Sequence, residues 1–170
     1  MAATRQQLSM MNRCVTALLI SLVSAAHAQT ASPPTSEAYK LPAIWLNPGF
    51  YSAHFDTGKG LRNSNPGFGV EVAINENWSA TAGEFTNSNN ARSNYAGAYY
   101  QPWHWSAWKA GVVVGVFNGY PNAFNGGWFP ALLPVLSLEG EHFGLNIALV
   151  PPLQDRLYGA VSFQLKLRIH

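Results

Sequence analysis

Ser88 lies in the stretch EFTNSNNARSNYAGAYY, residues 84–100, whose polar tip from Thr86 to Ser93 runs into Tyr95, Gly97 and Tyr99 alternating with small residues. A hydroxyl in such a tip either solvates a hairpin loop or serves an active site, and the second role needs a base within reach. His54, in YSAHFD, is followed two residues later by Asp56, which would share its strand face and could orient the imidazole. A solvated loop-edge aspartate is the plainer reading. His104, His142 and His170 are scattered without metal-ligand spacing. P-loop, dinucleotide-binding, HExxH and GxSxG patterns do not occur, and GKG at 58–60 reads as a loop rather than a phosphate cradle. No cofactor and no metal are therefore expected.

The elements that would carry these residues belong to an exported chain. Arg5 and Arg13 precede an apolar run from Val15 to Val23, and Ala26-His27-Ala28 has the small-x-small form of a signal peptidase site. Residues 1–28 are read as a signal peptide, the Pro/Ser/Thr-rich 29–42 as a short periplasmic leader, and 43–170 as one domain. The apolar run is too short for a spanning helix. Cleavage would remove two of the ten Lys and Arg and none of the eight Asp and Glu, leaving eight against eight. The sequence pI of 8.8 thus belongs largely to the signal and gives no argument for a nucleic-acid partner. Cys14, the single cysteine, leaves with it, so no disulfide or thiolate metal site is expected.

Charged residues make up 11% of the chain, against roughly 25% in ordinary soluble domains, while aromatics reach 13%. An exported chain with few charges and no spanning helix can still meet lipid as a closed β-barrel. Period-two alternation supports this. Val161, Phe163, Leu165, Leu167 and Ile169 share one face, with Ser162, Gln164, Lys166 and Arg168 on the other. FGVEVAIN sends Phe68, Val70, Val72 and Ile74 outward and Gly69, Glu71 and Ala73 inward, and FGLNIALV repeats the pattern. Further strands read at about 43–56, 78–86, 93–104, 108–118 and 129–139, the one in AGVVVGVF being apolar on both faces, as a partly greasy interior requires. Long Gly/Asn/Pro-rich connections alternate with short ones. Trp103, Trp105 and Trp108 gather at one turn, where an interfacial girdle is expected. The fold expected is all-β, an eight-stranded antiparallel up-and-down transmembrane barrel with both termini on the periplasmic side. A lipocalin-like soluble barrel would share the alternation but not the low charge.

The stretch around Ser88 resembles the lipid A palmitoyltransferase (PagP) family of outer-membrane enzymes. That family has an aromatic, a Lys, then Asp-Ser, with Ala-Gly in the next strand; here Phe85, Thr86, Asn87, Ser88 and Ala96-Gly97 fall at the matching spacing. LLPV and LVPP likewise set Pro134 and Pro151 at the separation of the family's LLP and Ile-Pro. Proline leaves a gap in a strand ladder, and in the family such gaps admit lipid laterally to an interior that holds one acyl chain. The family also uses a His near the outer end of the first strand. His54 is the candidate, although aligning PAI at 42–44 would instead put Asn47 there. A one-residue slip exchanges the two faces of a strand, so the two registers make different predictions. The family's Asp is Asn87 here.

The resemblance implies a phospholipid:lipid A acyltransferase of the bacterial outer membrane, monomeric, acting between a phospholipid donor and a lipid A acceptor. His54 would be general base, Ser88 a nucleophile or hydrogen-bonding group, and Asn87 an oxyanion or orienting group. Pro134 and Pro151 would flank lateral lipid access. The alternative is a non-enzymatic small barrel that binds lipid or supports envelope integrity. A lipid A deacylase would expect an adjacent His-Ser pair late in the chain, and none occurs.

Overall fold

The computed structural model describes residues 42–153 and 157–170; the expected signal peptide and nearly all of the expected leader lie outside them. Eight antiparallel strands close into an up-and-down barrel: β1 (Ile44–His54), β2 (Ser64–Ala73), β3 (Trp78–Thr86), β4 (Arg92–Trp105), β5 (Trp108–Phe117), β6 (Phe129–Glu139), β7 (Phe143–Val150) and β8 (Ala160–Arg168). β8 pairs back on β1, His54 standing opposite Ala160, so neither the first nor the last strand is an edge. Each strand lies within a few residues of its expected range. The largest departure is β2, which begins at Ser64 and runs through Pro66, inside what reads as loop.

The facing follows the alternation. On β8, Gln164 and Lys166 are 2% exposed while Leu165 is 65% exposed. Phe68 and Ile74 stand outside, and Glu71 and Ala73 inside. The apolar strand β5 turns Val113 inward against Tyr99, Val135, Leu133 and Ala148, which is the greasy patch expected of it.

The two ends differ. One carries the start of β1, the end of β8 and the short connections 74–77, 106–107 and 140–142. The other carries the longer loops 55–63, 87–91, 118–128 and 151–159. Inside the short-turn half, side chains form a continuous polar layer. Asn146 donates to Glu71 (2.9 Å) and to Gln164 (3.2 Å), and accepts from the Ser137 hydroxyl (2.7 Å). Lys166 bridges Glu71 and Glu139 at 2.9 and 2.7 Å. In the long-loop half the lining turns aromatic. Phe50 meets Phe85 and Tyr95 edge-on at 4.9 and 5.5 Å, and Tyr95 stacks on Phe117 at 5.9 Å.

β1 breaks the period-two rule once. Trp45 and Asn47 face inward, and so do Phe50, Ser52 and His54, with the opposite parity. Pairing slips by one residue with both neighbours across this stretch. The cause is local. Pro48 has no N–H for the ladder. Gly49 takes φ 106° with its α-carbon against the Asn65 carbonyl, where a Cβ would overlap that backbone oxygen. This irregularity brings both Asn47 and His54 to the interior, so the two registers that the sequence left open are not exclusive as regards facing.

Candidate functional site

The long-loop mouth gathers side chains from the end of β1 and from three connections. His54 ends β1, Ser88 sits in the loop after β3, Tyr120 in the loop after β5, and Leu157 and Tyr158 in the loop before β8. Together with Ser52, Val150 and Ala160 they line a cavity of about 60 Å³. Beneath it lies a cavity of about 100 Å³ whose wall includes Phe50, Phe85, Tyr95, Tyr99, Phe117 and Leu133. Gly97 and Gly115 face each other across β4 and β5 on this wall, and two residues without side chains leave the space open. Ser52, Tyr120 and Val150 belong to both cavities, so the polar mouth and the apolar interior meet. Desolvation by burial holds the Tyr120 hydroxyl well above the usual phenol range, so it stays protonated at neutral pH.

His54 and Ser88, 34 positions apart, thus border one space, but no hydrogen bond joins them. The His54 Nδ1 is 2.9 Å from the Asn63 Oδ1. The Asn65 amide lies 3.2 Å from the Ser52 hydroxyl and 3.3 Å from the Ser88 hydroxyl. Backbone ties join loop 55–63 to the Ser88 loop and to β1: the Arg62 N–H donates to the Ser88 carbonyl (3.0 Å), and the Ser52 N–H donates to the Asn63 carbonyl (2.8 Å). Asp56 does not orient the imidazole. It lies past the end of β1 and caps the short turn Thr57–Lys59, accepting from the Gly58 N–H at 3.0 Å.

Asn87 is fully buried and fully used. Its amide nitrogen donates to the Ser93 hydroxyl and the Gly119 carbonyl, both at 2.8 Å, and its oxygen accepts from the N–H groups of Asn89 (2.9 Å) and Ala91 (3.1 Å). No N–H remains to steady an oxyanion. What Asn87 orients is the loop that carries Ser88. The asparagine has a physical reason here, because a carboxylate could not donate to the Gly119 carbonyl. Asn87→Asp is expected to destabilise the barrel by about 1–3 kcal/mol, the cost of stranding a buried acceptor. The check is urea unfolding together with protease nicking in loop 87–91, and nicking at the wild-type rate would contradict it.

Pro134 and Pro151 stand at one seam. β6 pairs with β7 only from Val135, opposite Ala148, toward the short turn. Above that point β6 pairs with β5 alone, and Leu149 and Val150 pair with β8 alone. Pro134 begins the unpaired stretch of β6, facing outward, and Pro151 follows the last residue of β7. Leu133, Ala148 and Val150, which border this opening, also line the apolar cavity.

Compared with models of protein families and with curated proteins, the chain matches none. The residues themselves therefore carry the functional argument. Among the described residues no group of three or more His, Cys, Asp or Glu could hold a metal ion. Sequence reasoning missed Asn63, Asn65, Ser52 and Tyr120. The first two sit in the run RNSNPG, where every residue after Arg62 reads as a turn former, and only the pairing of β1 with β2 distinguishes them.

Proposed function

We propose that this protein is an outer-membrane enzyme that transfers an acyl chain from a phospholipid to lipid A. The observation that carries the reading is the joint lining: His54 and Ser88 border one cavity, which shares Ser52, Tyr120 and Val150 with the apolar cavity below. A chain held in the lower cavity leaves its ester carbonyl between an imidazole and a hydroxyl. The seam at Pro134 and Pro151 supports lateral entry of the donor lipid.

An outward band of apolar side chains supports the membrane setting. Leu132 (62% exposed) and Leu165 (65%) face out along the strands, with Trp103 (62%) and Phe143 (73%) at the short-turn end and Phe55 and Trp128 at the loop end. Residues 1–28 would direct export and be removed, and the barrel would act as a monomer on membrane lipids, without a nucleic-acid partner.

In this reading the His54 imidazole takes the proton of the acceptor hydroxyl as that oxygen bonds to the ester carbon. The ester C–O bond then breaks, and the imidazolium returns the proton to the departing glycerol oxygen of the lysophospholipid. Ser88 donates to the carbonyl oxygen while it is negative. The lack of a His54–Ser88 hydrogen bond favours this direct transfer over an acyl-serine. Mass spectrometry of lipid A from expressing cells tests it. A gain of one acyl chain is expected, and an unchanged lipid A from cells with well-assembled barrel would leave a lipid-binding, non-enzymatic barrel instead.

A further inference from the structure

We infer that Asn63 is the positioning residue of the base: it holds His54 as the Nδ1–H tautomer and leaves Nε2 as the proton acceptor. This rests on the acyl-transfer reading above for its chemical meaning, but not for its geometry. An amide oxygen only accepts, so the 2.9 Å contact between the Asn63 Oδ1 and Nδ1 is a hydrogen bond when that nitrogen carries the proton. The lone pair is then on Nε2, on the far side of the ring. A histidine serves as a base only through the nitrogen that its partner leaves unprotonated.

Asn63 is itself pinned. Its carbonyl accepts from the Ser52 N–H on β1, two residues before His54. Its neighbour Arg62 donates its N–H to the Ser88 carbonyl. The dipeptide Arg62-Asn63 therefore touches both candidate residues at once and sets their spacing. This is a side chain acting through another, in the way that the partner of a catalytic histidine fixes its tautomer and orientation.

Asn63 is an uncharged partner. Among the described residues that line the mouth cavity, the other titratable groups are Tyr120 and Tyr158, and no carboxylate lines it. Of the cations around this mouth, Lys59 lies 5.6 Å above the Tyr158 ring, and the Arg62 guanidinium is turned to the Ser64 carbonyl and to the Asn90 side chain. Asp56 is turned to the Gly58 N–H. None of the residues that line this cavity carries a negative charge to pair with an imidazolium.

The experiment is nitrogen NMR of the histidine ring in the protein folded into detergent micelles, with a rate–pH profile on phospholipid donor and lipid A. The wild type is expected to show the Nδ1–H form. Asn63→Leu is expected to lose that preference and to lower kcat by about 10- to 100-fold, below the loss of about 10²–10⁴ that follows removal of a general base, with KM unchanged. Asn63→Asp is expected to keep the tautomer, recover the rate at high pH and move the acidic limb of the profile upward by about 1 pH unit or more. A purely structural Asn63 would change assembled yield and leave tautomer and limb in place. If Asn63→Leu folds and keeps the Nδ1–H form, the inference is overturned. If the tautomer changes as expected while the wild type transfers no acyl chain, the positioning of His54 by Asn63 is supported and the acyl-transfer reading alone falls.

Discussion

Lys166→Met is expected to destabilise the barrel by about 3–5 kcal/mol, the usual cost of removing one partner from a buried ion pair. The lysine side chain is 0% exposed and reaches Glu71 at 2.9 Å and Glu139 at 2.7 Å. Its ammonium also lies 4.8 Å from the centre of the Trp45 ring. The two carboxylates are not equally dependent on it. Glu139 keeps Lys109 at 2.7 Å. Glu71 keeps the Ser79 hydroxyl and the Asn146 amide, at 3.1 and 2.9 Å, which are neutral donors and do not balance its charge. The penalty therefore falls mainly on Glu71. Adding Glu71→Gln to Lys166→Met removes the stranded charge, and the double variant is expected to recover about 0.5–3 kcal/mol of coupling. Urea unfolding in lipid vesicles, followed by heat-modifiable gel mobility, measures both. A single variant within about 1 kcal/mol of wild type would mean that the layer is held by its neutral hydrogen bonds. The consequence reaches the site, because this layer closes the barrel beneath the apolar cavity.

The barrel was legible because period two asks little of a sequence. Leu165 and Lys166 need only to alternate for their faces to be known, and the connections needed only to differ in length. The cross-barrel contacts were not legible. Lys166 and Glu71 are 95 residues apart, and their meeting depends on register and closure, which alternation does not contain. At the site, Ser88 and His54 were readable as residues on one rim, but the direction of His54 was not. Seven positions separate it from Asn47, which in an unbroken strand puts the two on opposite faces. The Pro48-Gly49 irregularity turns both inward. Composition also hid the start of β2, since Asn65 and Pro66 read as turn formers although Asn65 is buried between two serines.

His54→Ala should lower acyl transfer by about 10²–10⁴-fold with the barrel still assembled, because general base catalysis contributes that range. The substitution removes one ring from a mouth that the loops already frame. The hydrogen bond it deletes, to Asn63, is exposed rather than buried, so its loss costs little stability. Ser88→Ala is expected to cost less if Ser88 steadies the oxyanion than if it is the nucleophile. Removing one oxyanion donor costs about 10²–10³-fold, and a measurable residual rate should therefore survive. Transfer abolished to background in Ser88→Ala, together with a trapped acyl-serine, would reverse the assignment and make Ser88 the nucleophile. The present geometry argues for the first outcome. Ser88 lies against the Asn65 amide at 3.3 Å, and His54 is turned to Asn63. A serine without its base in contact is weakly nucleophilic, whereas a hydroxyl needs no base to donate a hydrogen bond to a carbonyl.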